Sequence, residues 1–300
     1  MTMQAGSAGP ETSPREPMPV VAGVDGSPTA FAAAEYAAGE AQRRDVPLTL
    51  VHGFTWPLFY PPLTGDYHPT DPLPRTRAGM MLTNVAERIR LTHPDLTVAV
   101  EVLDGHAAGV LVDLSRHACL VVVGHRGEGG FAGLLAGSVA VNTATHAHCP
   151  VVVVRGTSTK TDASVVAGVD GSAGAHRAIE FAFDEAARRG APLTAVGVWP
   201  SDRGWPDALT EHGYPTPSAT DQITADIADC AARYPQVQVL IQVVRGRSPA
   251  GALATAAEGA SLVVVGSRGR GGLRGLLLGS VGRALIEHAP CPVAIVRPAD

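Results

Sequence analysis

Apolar residues along this chain follow two rhythms, and the two alternate. Short unbroken runs such as "VVAGV" (20–24), "LVVVG" (120–124) and "VVVV" (151–154) are bounded by glycine, proline or polar residues. Between them lie longer stretches in which alanine, leucine and isoleucine recur at helical spacing among charged side chains. Unbroken β-branched runs belong to strands buried on both faces, and the 3.6-residue rhythm belongs to amphipathic helices. From the N-terminus the pattern predicts a strand at 20–24, then an alanine-rich helix entered through Ser27-Pro28 and ended near Arg44 by Asp45 and Pro47. Strand "LTLVHGF" follows, then a proline-rich loop from Trp56 to about Arg75, a helix at about 78–91 and strand "TVAVEVL". A helix near 107–117, strand "CLVVVG", a glycine loop, a helix from Ser138 and strand "PVVVVR" complete the set.

The same order then repeats, with strands near 165–169, 193–198, 237–244, 261–266 and 292–297. "PVVAGVDGS" (19–27) aligns with "SVVAGVDGS" (164–172), so Asp25 matches Asp170 at an offset of 145; Gly127/Gly269 and Cys149/Cys291 match at 142. The difference falls between these anchors, where loop length varies most freely. The fold expected is α/β, two tandem doubly wound domains, each a five-stranded parallel sheet with helices on both faces. The expected boundaries are a disordered tail at 1–19, a first domain at 20–155, a polar linker at 156–163 and a second domain at 164–298.

The repeat also duplicates a loop. The fourth strand leaves at Gly124 or Gly266, a glycine follows at 127 or 269, nine residues intervene, and Gly137-Ser138 or Gly279-Ser280 opens the last helix. This is G-x-x-G-x9-G-S, twice with the same spacing. Glycines let backbone amides approach a ligand with no Cβ in the way. The Gly-Ser step places amides and a hydroxyl at a helix N-terminus, whose partial positive charge suits phosphate. The plainer alternative is a tight turn followed by a serine cap; a spacer held in both halves favours phosphate. Asp25 and Asp170 end the first strand of each half in "GVDGS". Ligands of open α/β sheets settle outside the carboxyl ends of strands where the strand order reverses. A carboxylate there can accept from ribose hydroxyls or hold a phosphate-bound Mg²⁺, or it can form an Asx-turn into the Ser27 cap.

"VAGVDGS", the G-x-x-G-x9-G-S loop and the closing "CPVVVVR" or "CPVAIVR" strand resemble the universal stress protein family in its tandem form common in actinobacteria, over about residues 20–298. The resemblance implies a strand order 3-2-1-4-5 in each half, ATP as ligand, and pairing of domains through their fifth strands. It implies backbone contacts to the nucleotide at or beside Gly23 and Gly168, and adenine contacts at Gly53 and Val198. Ribose or Mg²⁺ contact falls on Asp25 and Asp170. Phosphate contacts fall on Gly124, His125, Arg126, Gly127, Gly137, Ser138 and Val139, and on Gly266, Ser267, Arg268, Gly269, Arg270, Gly279, Ser280 and Val281. A regulatory protein partner, and a homodimer or an intramolecular pseudo-dimer, are further implications.

Composition narrows the alternatives. With 45% hydrophobic and 17% charged residues a packed interior is expected, and a net charge of −5 argues against a nucleic-acid scaffold. The four cysteines have no metal-ligand spacing and read as buried, reduced thiols of a cytoplasmic protein. The first residues contain no apolar signal core, no run reaches membrane-spanning length, and the closest histidines, His146 and His148, read as surface or capping residues. "GEGGFA" (127–132) satisfies a dinucleotide fingerprint formally, but its partner "GRGGLR" breaks it and both follow the fourth strand rather than the first. "GLLLGSV" lacks the Walker lysine. No nucleophile–base pair recurs beside the loops, so a nucleotide-dependent regulator is expected, with slow Mg-dependent ATP hydrolysis as the alternative.

The halves are not electrically alike. Arg268, Arg270 and Arg274 lie in the second loop without an acid, whereas Arg126 in the first is opposed by Glu128 beside a mostly neutral His125. Val198 offers adenine an apolar edge that Gly53 does not, although His52 partly compensates. The second site is therefore expected to bind ATP more tightly, by about 1 kcal/mol after screening.

Overall fold

The computed structural model describes residues 17–55, 74–127, 136–155, 163–199, 218–269 and 278–298. Most of the expected tail and linker, the loop residues 56–73, and Glu128, Arg270 and Arg274 lie outside the described residues. The first half contains β1 (Val20–Gly23), α1 (Pro28–Arg44), β2 (Leu48–Phe54), α2 (Pro74–Thr92), β3 (Val98–Asp104), α3 (Ala107–Leu114), β4 (Leu120–Gly124), α4 (Ser138–His146) and β5 (Val151–Val154). The second half repeats the order with β6 (Val165–Val169), α5 (Ala173–Arg189), β7 (Leu193–Trp199), α6 (Ala219–Arg233), β8 (Val239–Arg245), α7 (Pro249–Ala256), β9 (Leu262–Gly266), α8 (Ser280–His288) and β10 (Val293–Val296).

The ten strands of the described residues join one sheet, ordered β3-β2-β1-β4-β5-β10-β9-β6-β7-β8. Each half has the order 3-2-1-4-5 and is internally parallel; the halves meet where β5 and β10 pair antiparallel, Val153 opposite Val293 and Val151 opposite Ile295. Both strands are wholly buried valine, alanine and isoleucine, and pairing them removes the open edge each half would otherwise present. Alternate strand residues feed two apolar layers, one shared with α1, α2, α5 and α6, the other with α3, α4, α7 and α8.

Local chemistry sets the helix ends. Ser27 and Ser172 cap α1 and α5 by accepting from Ala30 and Ala175, and the helices close at equivalent left-handed positions, Asp45 (φ 52°) and Gly190 (φ 61°). Two boundaries differ from the sequence expectation. Helix α2 begins at Pro74 rather than near 78, and Arg75 in its first turn pairs with Asp104 and donates to the Val102 carbonyl at 2.8 Å, fixing that turn to β3. Helix α3 stops at Leu114 rather than 117, where the Ser115 hydroxyl donates to Val112 O at 2.5 Å and accepts from the His148 amide at 2.8 Å.

Candidate functional site

In each half the first strand lies between the second and the fourth, β1 between β2 and β4 and β6 between β7 and β9, so the aspartate that follows it stands where the order reverses. Val24 continues β1 by donating to Val51 O at 2.8 Å, and Gly26 then turns the chain with φ 97°; Gly171 does the same at φ 69°. Asp25 Oδ1 accepts from the Ser27 amide at 3.0 Å and its hydroxyl at 2.7 Å, and Asp170 Oδ1 accepts from the Ser172 amide at 3.0 Å. The Asx-turn is therefore present. It occupies one carboxylate oxygen and aims the other.

That other oxygen faces the glycine loop. A Cβ placed on Gly127 would collide with Asp25 Oδ2, and one on Gly269 would lie 2.5 Å from Asp170 Oδ2. These two glycines are where the loop backbone passes against the carboxylate, in both halves alike. The loop itself is pinched at its base. His125 donates its amide to Val154 O at 3.1 Å and its carbonyl accepts from the Gly137 amide at 2.7 Å; Ser267 N to Val296 O (2.8 Å) and Gly279 N to Ser267 O (2.7 Å) repeat the arrangement.

The last helix of each half is entered through a glycine; α3, entered through His106, likewise has no side-chain cap. Helices α1, α5, α6 and α7 are capped by serine hydroxyls, whereas α4 and α8 are entered through Gly137 and Gly279, which supply no side-chain acceptor. Their first-turn amides, beginning with Ser138-Val139 and Ser280-Val281, form the type of helix N-terminus that an external anion caps.

Other glycines serve packing rather than ligand access. A Cβ on Gly124 would come within 2.8 Å of the Thr29 backbone, and one on Gly266 within 2.7 Å of Gly174, so these two residues admit α1 and α5. Gly23 and Gly168 likewise admit the leucines Leu111 and Leu253 of α3 and α7. Gly53 abuts the start of α3, where a Cβ would lie 2.6 Å from Ala107 Cα. Its counterpart Val198 is half-buried against the second apolar layer, so the ends of β2 and β7 differ in shape. His52 is fixed by a 2.8 Å hydrogen bond between its Nδ1 and Val24 O.

Two arginines, Arg126 and Arg155, act on His125 at the base of the first loop. Burial lowers the His125 pKa, and Arg155 and Arg126 lower it further against the raising effect of its bond to Val154, so the imidazole is neutral at pH 7. Arg126 and Arg268 lie in the described part of each loop; Arg270 does not. Burial pushes all four thiols up, Cys149 and Cys291 to about 12, which keeps them protonated and unreactive at neutral pH. Among the described residues no three histidine, cysteine or acidic side chains gather as a metal site, and no helix is long and apolar enough to cross a membrane.

Three polar residues near the site had no reading in sequence. Thr29 donates its hydroxyl to Arg126 O, tying α1 to the loop; Gly174 takes its place in the second half, where a Cβ would lie 2.7 Å from Arg268 O. Arg155 and Arg297 follow the fifth strands and reach into the opposite half. A hydroxyl in a helix's first turn and an arginine after a strand are too common to single out without the fold.

Comparison with known proteins gives a consistent result. The universal stress protein family matches residues 18–155 and again 163–297. A universal stress protein of Mycobacterium tuberculosis is 39% identical over 292 residues, 93% of this chain and 96% of the relative. One from Mycolicibacterium smegmatis is 36% identical, covering 93% and 97%. The crystal structure of a universal stress protein from Archaeoglobus fulgidus superposes with a TM-score of 0.62 at 20% identity, covering 94% of this chain and 96% of that one, a likeness of fold.

Proposed function

The chain belongs to the universal stress protein family, and from that premise we propose that it is an ATP-binding regulator with one nucleotide site in each half. The observation that carries the reading is the duplicated approach of Asp25 to Gly127 and of Asp170 to Gly269, beside helices entered through uncapped glycines. A carboxylate, a close-running glycine backbone and a helix N-terminus are the three parts needed to hold a ribose and its phosphates. Phosphates would lie on the amides of Gly127, Ser138 and Val139, and on those of Gly269, Ser280 and Val281, with Arg126 and Arg268 supplying charge and Arg270 a further cation. Adenine would lie at the ends of β2 and β7, near Gly53 and Val198.

Mg²⁺ fits as a companion of ATP rather than as a resident ion. It is usually held by one or two carboxylates together with substrate phosphates and water. Asp25 and Asp170 each present one oxygen toward the loop while the other accepts from the following serine. When bound, the ion neutralises phosphate charge; the protein's own part is to aim Oδ2 through the Asx-turn.

In this reading ATP occupancy biases the conformation of a single rigid sheet, and the output passes to a regulatory partner. Native mass spectrometry of the full chain with MgATP tests it by reporting bound nucleotide, stoichiometry and subunit count together. Two ATP per chain is the expected result. A chain that stays unliganded at millimolar MgATP would overturn the reading, and phosphate release in the same sample would turn it toward hydrolysis.

A further inference from the structure

The two loops are joined by a closed circuit of hydrogen bonds that passes twice through the boundary between halves. It starts at His125, whose carbonyl accepts from Gly137 N at 2.7 Å. Gly137 is the N-cap of α4, and α4 ends at Ala147, whose carbonyl accepts from Arg297 Nη1 at 3.2 Å. Arg297 directly follows Val296, whose carbonyl accepts from Ser267 N at 2.8 Å, and Ser267 O accepts from Gly279 N at 2.7 Å. Gly279 is the N-cap of α8, and α8 ends at Ala289, whose carbonyl accepts from Arg155 Nε at 3.1 Å; Arg155 Nη1 also reaches Ile286 O at 3.5 Å. Arg155 follows Val154, whose carbonyl accepts from His125 N at 3.1 Å, which closes the ring.

The antiparallel pairing of β5 with β10 is what makes this possible. It sets the C-terminal end of each fifth strand beside the C-terminal end of the other half's last helix. Each loop is thus anchored at its base to its own fifth strand. The arginine leaving that strand holds the far end of the helix whose N-terminus frames the other loop. Helices of nine residues are stiff, and a guanidinium at a helix C-terminus complements the dipole whose positive end faces the loop.

We propose that Arg155 and Arg297 are positioning residues through which the two loop sites are coupled. The proposal rests on the nucleotide reading above and adds to it the regulation of one site by the other. Ligand on either loop fixes its helix N-terminus and, through the shared ring, the helix framing the second loop. The second ligand then meets a site already ordered, so coupling is positive. Coupling of this kind is reciprocal and has a typical size of about fivefold or more in affinity.

The test compares MgATP binding by calorimetry in full-length proteins, first in wild type, Gly127→Val, which blocks the first site, Gly269→Val, which blocks the second, and Arg155→Met. The coupling factor is the product of the two stepwise association constants in the two-site protein divided by the product of the two single-site constants. Repeating both blocks in the Arg155→Met background gives its own factor. A factor of about 5 is expected in wild type, lowered in Arg155→Met and in Arg297→Met, each of which leaves the other crossing intact, falling to about 1 when both are replaced, and returning in Arg155→Lys, which keeps a donor for Ala289 O. Loss of packing alone would lower Tm without moving this ratio. Should the methionine variants fold poorly, hydrogen exchange of Gly269→Val decides the matter. ATP at the first site must then slow exchange of the Ser267 and Gly279 amides in the other half. A wild-type factor of 1, a factor unchanged by the methionine substitutions, or no remote protection overturns the coupling and leaves the nucleotide reading standing. Absence of ATP binding in wild type overturns both.

Discussion

Arg189 on α5 meets the Glu40 carboxylate on α1 at 2.5 Å across the boundary between the two halves. Arg44 on α1 makes the reciprocal pair with Glu185 on α5, and each glutamate also pairs with the arginine one turn along its own helix, Glu40 with Arg44 and Glu185 with Arg189. All four side chains are buried, exposing between 1% and 7% of their surface. Charges in such a place need one another, because an unpaired one has lost its hydration. Tyr36, whose hydroxyl accepts from Arg189 at 2.9 Å, is held protonated mainly by burial and then by Glu40.

Removing one carboxylate therefore leaves guanidinium charge stranded. Glu40→Ala is expected to lower unfolding free energy by about 3–5 kcal/mol in urea titrations. Replacing the whole tetrad by apolar residues of similar volume should cost much less. The pair also predicts a pH dependence. Burial raises the Glu40 pKa, but Arg189, Arg43 and Arg44 outweigh it, and the net value lies below the ordinary 4.5. Its stabilising contribution is then complete above pH 4.5 and is lost as pH falls through the lowered value in the folded protein. Urea midpoints measured from neutral pH downward should show this acid loss in wild type and a smaller one in Glu40→Gln. Identical profiles would mean that the tetrad is not ionised as described.

The contact between Gly127 and Asp25 gives a prediction specific to the site. A methyl group on Gly127 has nowhere to go while Asp25 Oδ2 lies against it. Gly127→Ala should weaken MgATP at the first site by about tenfold or more with little effect on Tm, and Gly269→Ala should do so at the second. The double variant Asp25→Ala/Gly127→Ala regains the space but not the carboxylate. Its loss should be clearly smaller than the sum of the single losses, the non-additivity expected of touching residues. Additive losses would separate the glycine from the aspartate.

Much of this was legible in sequence because it depends on residues whose chemistry permits few alternatives. Runs such as "LVVVG" suit a strand buried on both faces, and Asp25 and Gly127 recur at Asp170 and Gly269 because each half repeats the same turn. The reasons for individual glycines were less legible. Gly124 and Gly23 look like ligand-approach residues in the chain, and only the packing of α1 and α3 shows what fills the space beside them. The E-x-x-R-R pattern stands at 40–44 and again at 185–189, but nothing local in the sequence marks it as buried. Burial of that pattern, like the arginine ring, arises from the antiparallel junction of β5 and β10, a relation between halves that no local pattern encodes.

The charge difference between loops predicts unequal sites. Glu128 and Arg270 differ in sign at matching positions, and like charge near a triphosphate is unfavourable. Glu128→Arg should tighten the first site and Arg270→Glu should loosen the second, each by about fivefold, corresponding to about 1 kcal/mol after solvent screening. Calorimetry on proteins with the other site blocked measures each exchange alone. Raising the salt concentration should shrink both effects. No change at either site would remove the charge argument while leaving the backbone cradle untouched.

Thr143 provides a test of packing away from both loops. It is fully buried on α4 beside Ala140 and Ala144, and its hydroxyl has no hydrogen-bond partner among the described residues. The equivalent position in the second half is Leu285, also fully buried. A buried hydroxyl without a partner has given up its water for nothing, whereas an apolar group of the same shape loses nothing on burial. Thr143→Val keeps the branched shape and removes the oxygen. It is expected to raise unfolding free energy by about 1 kcal/mol and leave ATP affinity unchanged. Thr143→Leu adds volume as well, and in a close-packed layer that addition should cancel part or all of the gain. The order of stability expected from thermal melts is Thr143→Val above wild type, with Thr143→Leu below Thr143→Val. A valine variant less stable than wild type would mean that the hydroxyl is held by a bond in solution, and a change in ATP affinity would connect α4's buried face to the site at its N-terminus.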